Sequence, residues 1–172
     1  MGYTTEFDGE IAVTPPLNAD EVSFLKDLAD SRRMNRTKGP LHVEPNQGFM
    51  HYDAPDVIDS NQPHPDQPGL WLCWEPSDDG ASIAWNGAEK FYDADAWMKY
   101  LVEKLLAPSA RAYIDAHMSE DPRLASFTCD HELTGVIDAQ GEDPGDRWQL
   151  AVGQGVVAVR HQVEAFGRPY QV

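Results

Sequence analysis

The last third of the chain alternates apolar and polar residues in three successive runs, with only tight-turn signals between them. Phe127 to Ala139 reads as one long strand, turned by Gly141-Glu142-Asp143-Pro144-Gly145-Asp146. Trp148, Leu150 and Val152 alternate in the next strand, Gly153-Gln154-Gly155 turns again, and Val156 to Val163 follows. A period of two is that of a half-buried strand. Connections this short join neighbouring strands as hairpins, whereas parallel strands need crossovers of about a dozen residues or more. These runs therefore confine the fold to a sheet dominated by antiparallel pairing.

The rest of the chain adds helices to that sheet. Tyr3, Thr5, Phe7, Ile11 and Val13 alternate with Thr4, Glu6, Asp8 and Glu10, which predicts a strand that Pro15 and Pro16 end. Asn18 with Glu21 three residues on reads as a capping box, opening a helix that runs to about Met34. Leu70 to Glu75 is apolar on both faces and predicts a central strand. Pro76 to Gly80 turns it into a partner strand, Ala81 to Trp85. Trp97, Leu101 and Leu105 line one face of a helix starting at Asp93 or Asp95, Pro108 breaks it, and Ser109 to Met118 reads as a short second helix. The order predicts an α+β fold, an antiparallel-dominated sheet with helices packed on one face. At 172 residues the chain fits a single domain over 1–172.

One stretch resists this pattern. Residues 37–68 lack apolar periodicity and hold six of the thirteen prolines, together with His42, His51 and His64. A connection of that length is functional or mobile. His51, Asp53, Asp56, Asp59 and His64 match no established metal-ligand spacing and read as a solvated loop.

Charge narrows the possible partners. There are 29 Asp and Glu against 13 Lys and Arg, a formal net charge of −16. Nucleic-acid binding rests on neutralising phosphates with Lys and Arg, so this balance argues against it, and against anionic membrane surfaces. No apolar run is long enough to span a bilayer. Cys73 and Cys129 lie far apart in apolar runs and read as buried free thiols. With no leader-like N-terminus, that points to the cytoplasm.

Candidate binding residues fall in four groups. Arg32, Arg33 and Arg36, with Lys38, form a basic knot in an acidic chain. They suit an anion or partner contact, or the stabilisation of a helix C-terminus. Trp85 to Asp93 packs aromatics with Glu89, Lys90 and Tyr92 into a turn before a helix, a setting for a ligand or for acid–base work as well as for a plain anchored turn. Glu142, Asp143 and Asp146, near Asp138, gather carboxylates on one hairpin without a calcium-loop pattern. Trp71 and Trp85 belong to a set of five tryptophans that serve as core or as a stacking platform. No dinucleotide, phosphate-loop, zinc-protease or nucleophile-elbow motif occurs, so no cofactor, metal or catalytic residue is assigned.

Gly2-Tyr3-Thr4-Thr5-Glu6-Phe7, Ser31-Arg32-Arg33-Met34, Gln67-Pro68-Gly69-Leu70-Trp71, Gly87-Ala88-Glu89-Lys90-Phe91-Tyr92 and Gln140-Gly141-Glu142-Asp143 resemble blocks of an uncharacterised family of small acidic actinobacterial and phage proteins. The resemblance implies a bacterial or phage-associated cytoplasmic protein and says nothing of catalysis. Charge and the absence of a catalytic motif favour a non-enzymatic interaction protein that binds a basic partner, in the manner of an immunity protein, antitoxin or DNA mimic. The alternative is a small-molecule-binding or hydrolytic protein. Its pocket would lie between the long loop and the sheet, with Arg32, Arg33, Glu89 and Lys90 around it.

Overall fold

The computed structural model describes residues 2–43 and 54–161. Eight strands and three α-helices form an α+β fold: β1 (Glu6–Thr14), α1 (Ala19–Ala29), β2 (Met34–Arg36), β3 (Val57–Pro63), β4 (Trp74–Pro76), β5 (Ser82–Trp85), α2 (Ala94–Tyr100), α3 (Arg111–Ala116), β6 (Glu132–Gln140), β7 (Arg147–Gly153) and β8 (Val156–His161). Six strands make one sheet in the order β4-β5-β1-β6-β7-β8, and β2 and β3 make a separate ribbon. Every pairing is antiparallel.

Strand β1 is the sheet's axis. It pairs with β6 along its whole length, from Glu6 opposite Gln140 to Thr14 opposite Glu132. Phe7, Ile11 and Val13 point into the core, and Glu6, Asp8, Glu10 and Ala12 are exposed. Gly9 occupies the gap in this alternation at φ +115°, opposite Ile137, and a Cβ there would fall 2.9 Å from the Val136 carbonyl oxygen. Only glycine adopts that backbone without strain. Phe7 meets Trp74, Trp85, Phe91 and Trp148 edge-on, with ring centroids 5.1–5.9 Å apart. Edge-to-face geometry sets the positive rim of one ring against the negative face of the next. The inward residues of β1, β6 and β7 share one core with Phe24 and Leu25 of α1, Trp97 and Met98 of α2, and Ile114 of α3.

Several sequence expectations are corrected by this architecture. Helix α1 has the capping box, with Asn18 Oδ1 accepting from the Glu21 amide at 2.9 Å, but it ends at Ala29. Ser31 Oγ donates to the Asp27 and Leu28 carbonyl oxygens, taking up the acceptors that another helical turn would have used. The basic knot thus lies beyond the helix, and only Lys26 serves its last turn. Leu70 to Cys73 do not join the sheet. The Leu70 carbonyl oxygen accepts from the Arg33 amide and that of Cys73 from the Asn86 amide, so β4 starts at Trp74 and sits at the edge, not the centre. The stretch 37–68 is not wholly irregular, because Val57–Pro63 pairs with β2. Of the histidines and acids noted there, His51 and Asp53 lie outside the described residues, as does the chain after His161. Strand β6 begins at Glu132, five residues later than its apolar run suggests, since Phe127 is held by a tight turn from Leu124. A π-helical segment, Leu101–Leu106, carries α2 on to Pro108.

The base of the fold is tied by a buried ion pair. Glu21 is 0% exposed and His131 2% exposed, with His131 Nε2 2.8 Å from Glu21 Oε2. His131 Nδ1 lies 2.7 Å from the Pro15 carbonyl oxygen, which can only accept, so that nitrogen carries a proton. Burial disfavours the charged ring. The hydrogen bonds to Glu21 and Pro15 and the charges of Glu21 and Asp130 outweigh it, and hold the His131 pKa above its ordinary 6.5. A proton held more tightly in the folded chain stabilises it fully below the unfolded pKa, and that contribution is lost as pH rises through the folded one. The thermal midpoint should therefore fall as pH is raised from mildly acid to alkaline, and His131→Asn should flatten the profile. Glu21→Gln should cost about 3 kcal/mol near pH 6, because it leaves a buried cation without its partner. Parallel pH profiles for the parent and His131→Asn would refute this account.

Candidate functional site

A cleft of about 850 Å³ opens where the end of α1, the turn before β4 and the segment between β5 and α2 meet. Its position follows from Arg33. This side chain is 3% exposed and enters the core just after α1. Nη1 donates to the carbonyl oxygens of Pro40 and His42, both at 3.1 Å, Nη2 donates to Ser31 Oγ, and the Arg33 amide donates to the Leu70 carbonyl oxygen at 2.7 Å. Burial, and then the charge of Arg36, lowers its pKa to about 10, with Tyr100 opposing. The guanidinium is still charged at neutral pH. One residue thus ties the turn after α1 to the chain at 40–42 and at 70.

Arg32, its neighbour, lines the cleft instead, with Nε donating to the Ser60 carbonyl oxygen at 2.9 Å. Glu89, Lys90, Tyr92 and Asp93 line the same cleft, as does Trp71. Trp71 is 38% exposed and Tyr92 62%, and both line the cleft. Lys90 has a φ of 62°, in the left-handed region that a long side chain rarely occupies. Such strain persists where the surroundings fix it, and it gathers at functional sites. Among the described residues Lys90 has no ion-pair partner. Burial, and behind it the charge of Asp95, raises the Asp93 carboxyl above its ordinary value. Under the wall, Trp97 Nε1 is buried without a hydrogen-bond partner among the described residues. Gly69 keeps the wall thin there, since a Cβ would fall 2.8 Å from Asp93 Oδ2 and 3.5 Å from Trp97 Nε1.

The cleft brings together Arg32, Trp71, Glu89, Lys90 and Tyr92 from stretches up to sixty residues apart. The other candidates lie elsewhere. Arg33 serves the core. Arg36 is 5% exposed and grips Asp56 with two bonds, of 2.6 and 2.8 Å, which hold the Asp56 carboxyl down at about 2. Trp85 lines a separate hollow of about 600 Å³ with Arg147 and Trp148. Two of the hairpin acids anchor the N-terminal segment: Tyr3 Oη donates to Asp146 Oδ2 and the Thr4 amide to Glu142 Oε1, both at 2.7 Å. The Asp143 carbonyl oxygen accepts from Gln140 Nε2 and its amide donates to Tyr3 Oη, both at 3.1 Å. Asp93 and Gly69 are among the lining residues not picked out as site residues from the sequence, with Asp30, Gln62 and Asn86. Asp93 closes the same aromatic block as Glu89 and Lys90, but its position before α2 reads as a helix start.

Catalysis through sulfur has little support in this cleft. Cys73 lies on its wall, and burial pushes the thiol up to about 11, so it stays protonated near neutral pH. Cys129 is likewise a buried free thiol with a raised pKa. Among the described residues no group of three or more His, Cys, Asp or Glu is placed to hold a metal ion, and no helix is long and apolar enough to cross a membrane. No protein-family model, curated protein or solved structure matches the chain.

The two adjacent arginines should separate experimentally. Arg33→Met removes the buried donors that bond the Pro40 and His42 carbonyl oxygens and Ser31 Oγ, and should cost about 3 kcal/mol in urea unfolding. Arg32→Ala, at a half-buried site, should cost no more than about 1 kcal/mol. Equal losses for the two would refute their division into a core residue and a cleft residue.

Proposed function

We propose that this chain binds a small molecule carrying a flat ring and an anionic group in the cleft between α1 and the β5–α2 segment. The observation that carries this reading is the convergence of Arg32 and Lys90 with Trp71 and Tyr92 on one cavity of about 850 Å³. Cavities of roughly 300–1,000 Å³ lined by aromatic and apolar groups with a few polar ones are the usual form of ligand sites. Each part has a chemical use. The exposed aromatic side chains of Trp71 and Tyr92 offer rings on which a planar body can stack. The Lys90 ammonium, without an internal counter-ion among the described residues, meets an anionic edge. Glu89 and Asp93 on the same wall accept from donors on the ligand and set its orientation. The high pKa of Cys73 favours reversible binding over a covalent step through that thiol.

A panel of aromatic carboxylates screened by thermal shift tests the proposal, because a ligand that binds only the folded chain raises its midpoint by mass action. For the best binder, titration calorimetry should show Lys90→Ala and Trp71→Ala each weakening affinity about tenfold, or about 1.4 kcal/mol. Both side chains are at the surface of the cleft, so midpoints of the free variants should hardly move. A panel with no binder, or one whose binders hold equally well to the double variant, would overturn the assignment.

A further inference from the structure

The six-stranded sheet keeps one face for the core and leaves the other exposed. The register writes out that open face row by row. Asp8 lies opposite Asp138, Asp138 opposite Gln149, and Gln149 opposite Arg160. The next row is Glu10, Val136, Ala151 and Ala158. Reading from β1 to β8, the first row runs acid, acid, amide, cation, and the second has small apolar groups in its middle.

We propose that this face is a self-complementary interface for a second copy of the chain. Turning one sheet over onto another, about a two-fold axis parallel to the strands and midway between β6 and β7, superposes β1 on β8 and β6 on β7. Each row then meets its own reverse. Arg160 of one copy falls over Asp8 of the other, within reach of Glu10. Gln149 falls over Asp138, and Ala151 over Val136. Such a contact is isologous and closes at two subunits.

Three observations favour this occupant. First, like charges directly opposite on neighbouring strands destabilise the pair, and Asp8 faces Asp138 at the centre of the sheet. Among the described residues Gln149 relieves Asp138, with Nε2 donating to Oδ1 at 2.8 Å, but Asp8, Glu10 and Arg160 have neither an ion pair nor a side-chain hydrogen bond. The two-fold contact supplies both signs at once. Second, Val136 is 42% exposed and Val156 61%, and the side chains between them are small, so two faces can approach to the roughly 10 Å of packed sheets. Third, the area suits a weak, reversible dimer. The four strands that this axis superposes, at about 4.8 Å by about seven residues at about 3.3 Å, give about 440 Å² per copy, about 890 Å² in total, in the range of transient contacts. The net charge of −16 opposes self-association at low salt, so the contact belongs to near-physiological ionic strength, where distant charges are screened. None of these residues lines the α1 cleft, so this interface and ligand binding stand or fall separately.

Sedimentation equilibrium across the micromolar range tests the interface on the full chain. The parent should shift from the 19.2 kDa monomer toward twice that mass with rising concentration. Arg160→Glu, and separately Asp8→Arg with Glu10→Arg, should each weaken dimerisation at least tenfold while leaving the thermal midpoint near that of the parent. Mixing the two variants should restore a heterodimer, because reversed charges then meet again. A parent that stays monomeric at every concentration overturns the proposal. So do variants that dimerise as well as the parent, or a mixture that fails to pair. Monomeric parent that binds polylysine, with binding lost only in the Asp8→Arg/Glu10→Arg variant, would assign the face to a basic partner instead and equally overturn it.

Discussion

Strand β1 is the constraint on which the rest of the structure depends. It is paired on both sides, to β5 and along nine positions to β6, so its register sets the register of the sheet. With a side-chain period of two, a slip of one residue would turn Phe7, Ile11 and Val13 to water and bury Glu6, Asp8 and Glu10. Burying three carboxylates without partners is prohibitive, so this one strand has a single acceptable register. Phe7 extends the constraint beyond the sheet. Its four ring contacts reach β4, β5, β7 and the segment before α2, and so fix the aromatic layer behind the cleft wall.

Arg33 is the second organising residue, and its environment is unusual for a buried cation. Its described hydrogen bonds go to carbonyl oxygens and a hydroxyl, none to a carboxylate. A guanidinium presents five donors in a fixed fork, which lets one side chain collect acceptors from several stretches of chain that have no secondary structure to satisfy them. The neighbouring Gln67 works in the same way, with Nε2 donating to the Pro40 carbonyl oxygen at 2.8 Å and reaching Tyr100 Oη at 3.4 Å. Tyr100 in turn meets Tyr113, which donates to Asp66 at 3.1 Å. This polar lattice holds the two ends of the proline-rich stretch, at residues 40–42 and 66–67, on either side of β3 in the chain, and the cleft opens along its border.

Much of the fold was legible in the sequence because the relevant signals are local. The capping box at Asn18, the hairpin turns at Gly80 and at Gln154-Gly155, and the alternation in β1, β7 and β8 each depend on a few adjacent residues. What was not legible depends on partners distant in sequence. The apolar run at Leu70 to Cys73 has the composition of a central strand, yet its backbone bonds to Arg33 and Asn86 and only its end joins the sheet edge. The strand Val57–Pro63 carries Asp59, Ser60, Asn61 and Gln62 and no alternation, since its ribbon with β2 lies outside the main core. For the site, five of the residues picked out by type converge on one cleft. Which arginine of a consecutive pair faces the solvent is set by the carbonyl oxygens at Pro40 and His42, and no local pattern records that.

The acidity of the chain also looks different once the carboxylates are placed. Many of them complete the backbone. Glu21 accepts from the amides of Asn18 and Thr128, Glu120 from that of Leu41, Glu142 from that of Thr4, and Asp121 from that of Arg123. Charge-assisted bonds of this kind are stronger than neutral ones, and they explain acids that no partner needs to answer. A net charge of −16 therefore overstates the negative surface available for recognition. The informative acids are the ones with no internal task, and on the sheet these are concentrated on one strand. Glu6, Asp8 and Glu10 stand in line on the exposed face of β1, while the cations of that face, Arg147 and Arg160, are carried by β7 and β8. The period of two that buries Phe7 and Ile11 obliges their neighbours to share the opposite face, and the placing of acids on β1 and cations on β7 and β8 polarises that face across the width of the sheet.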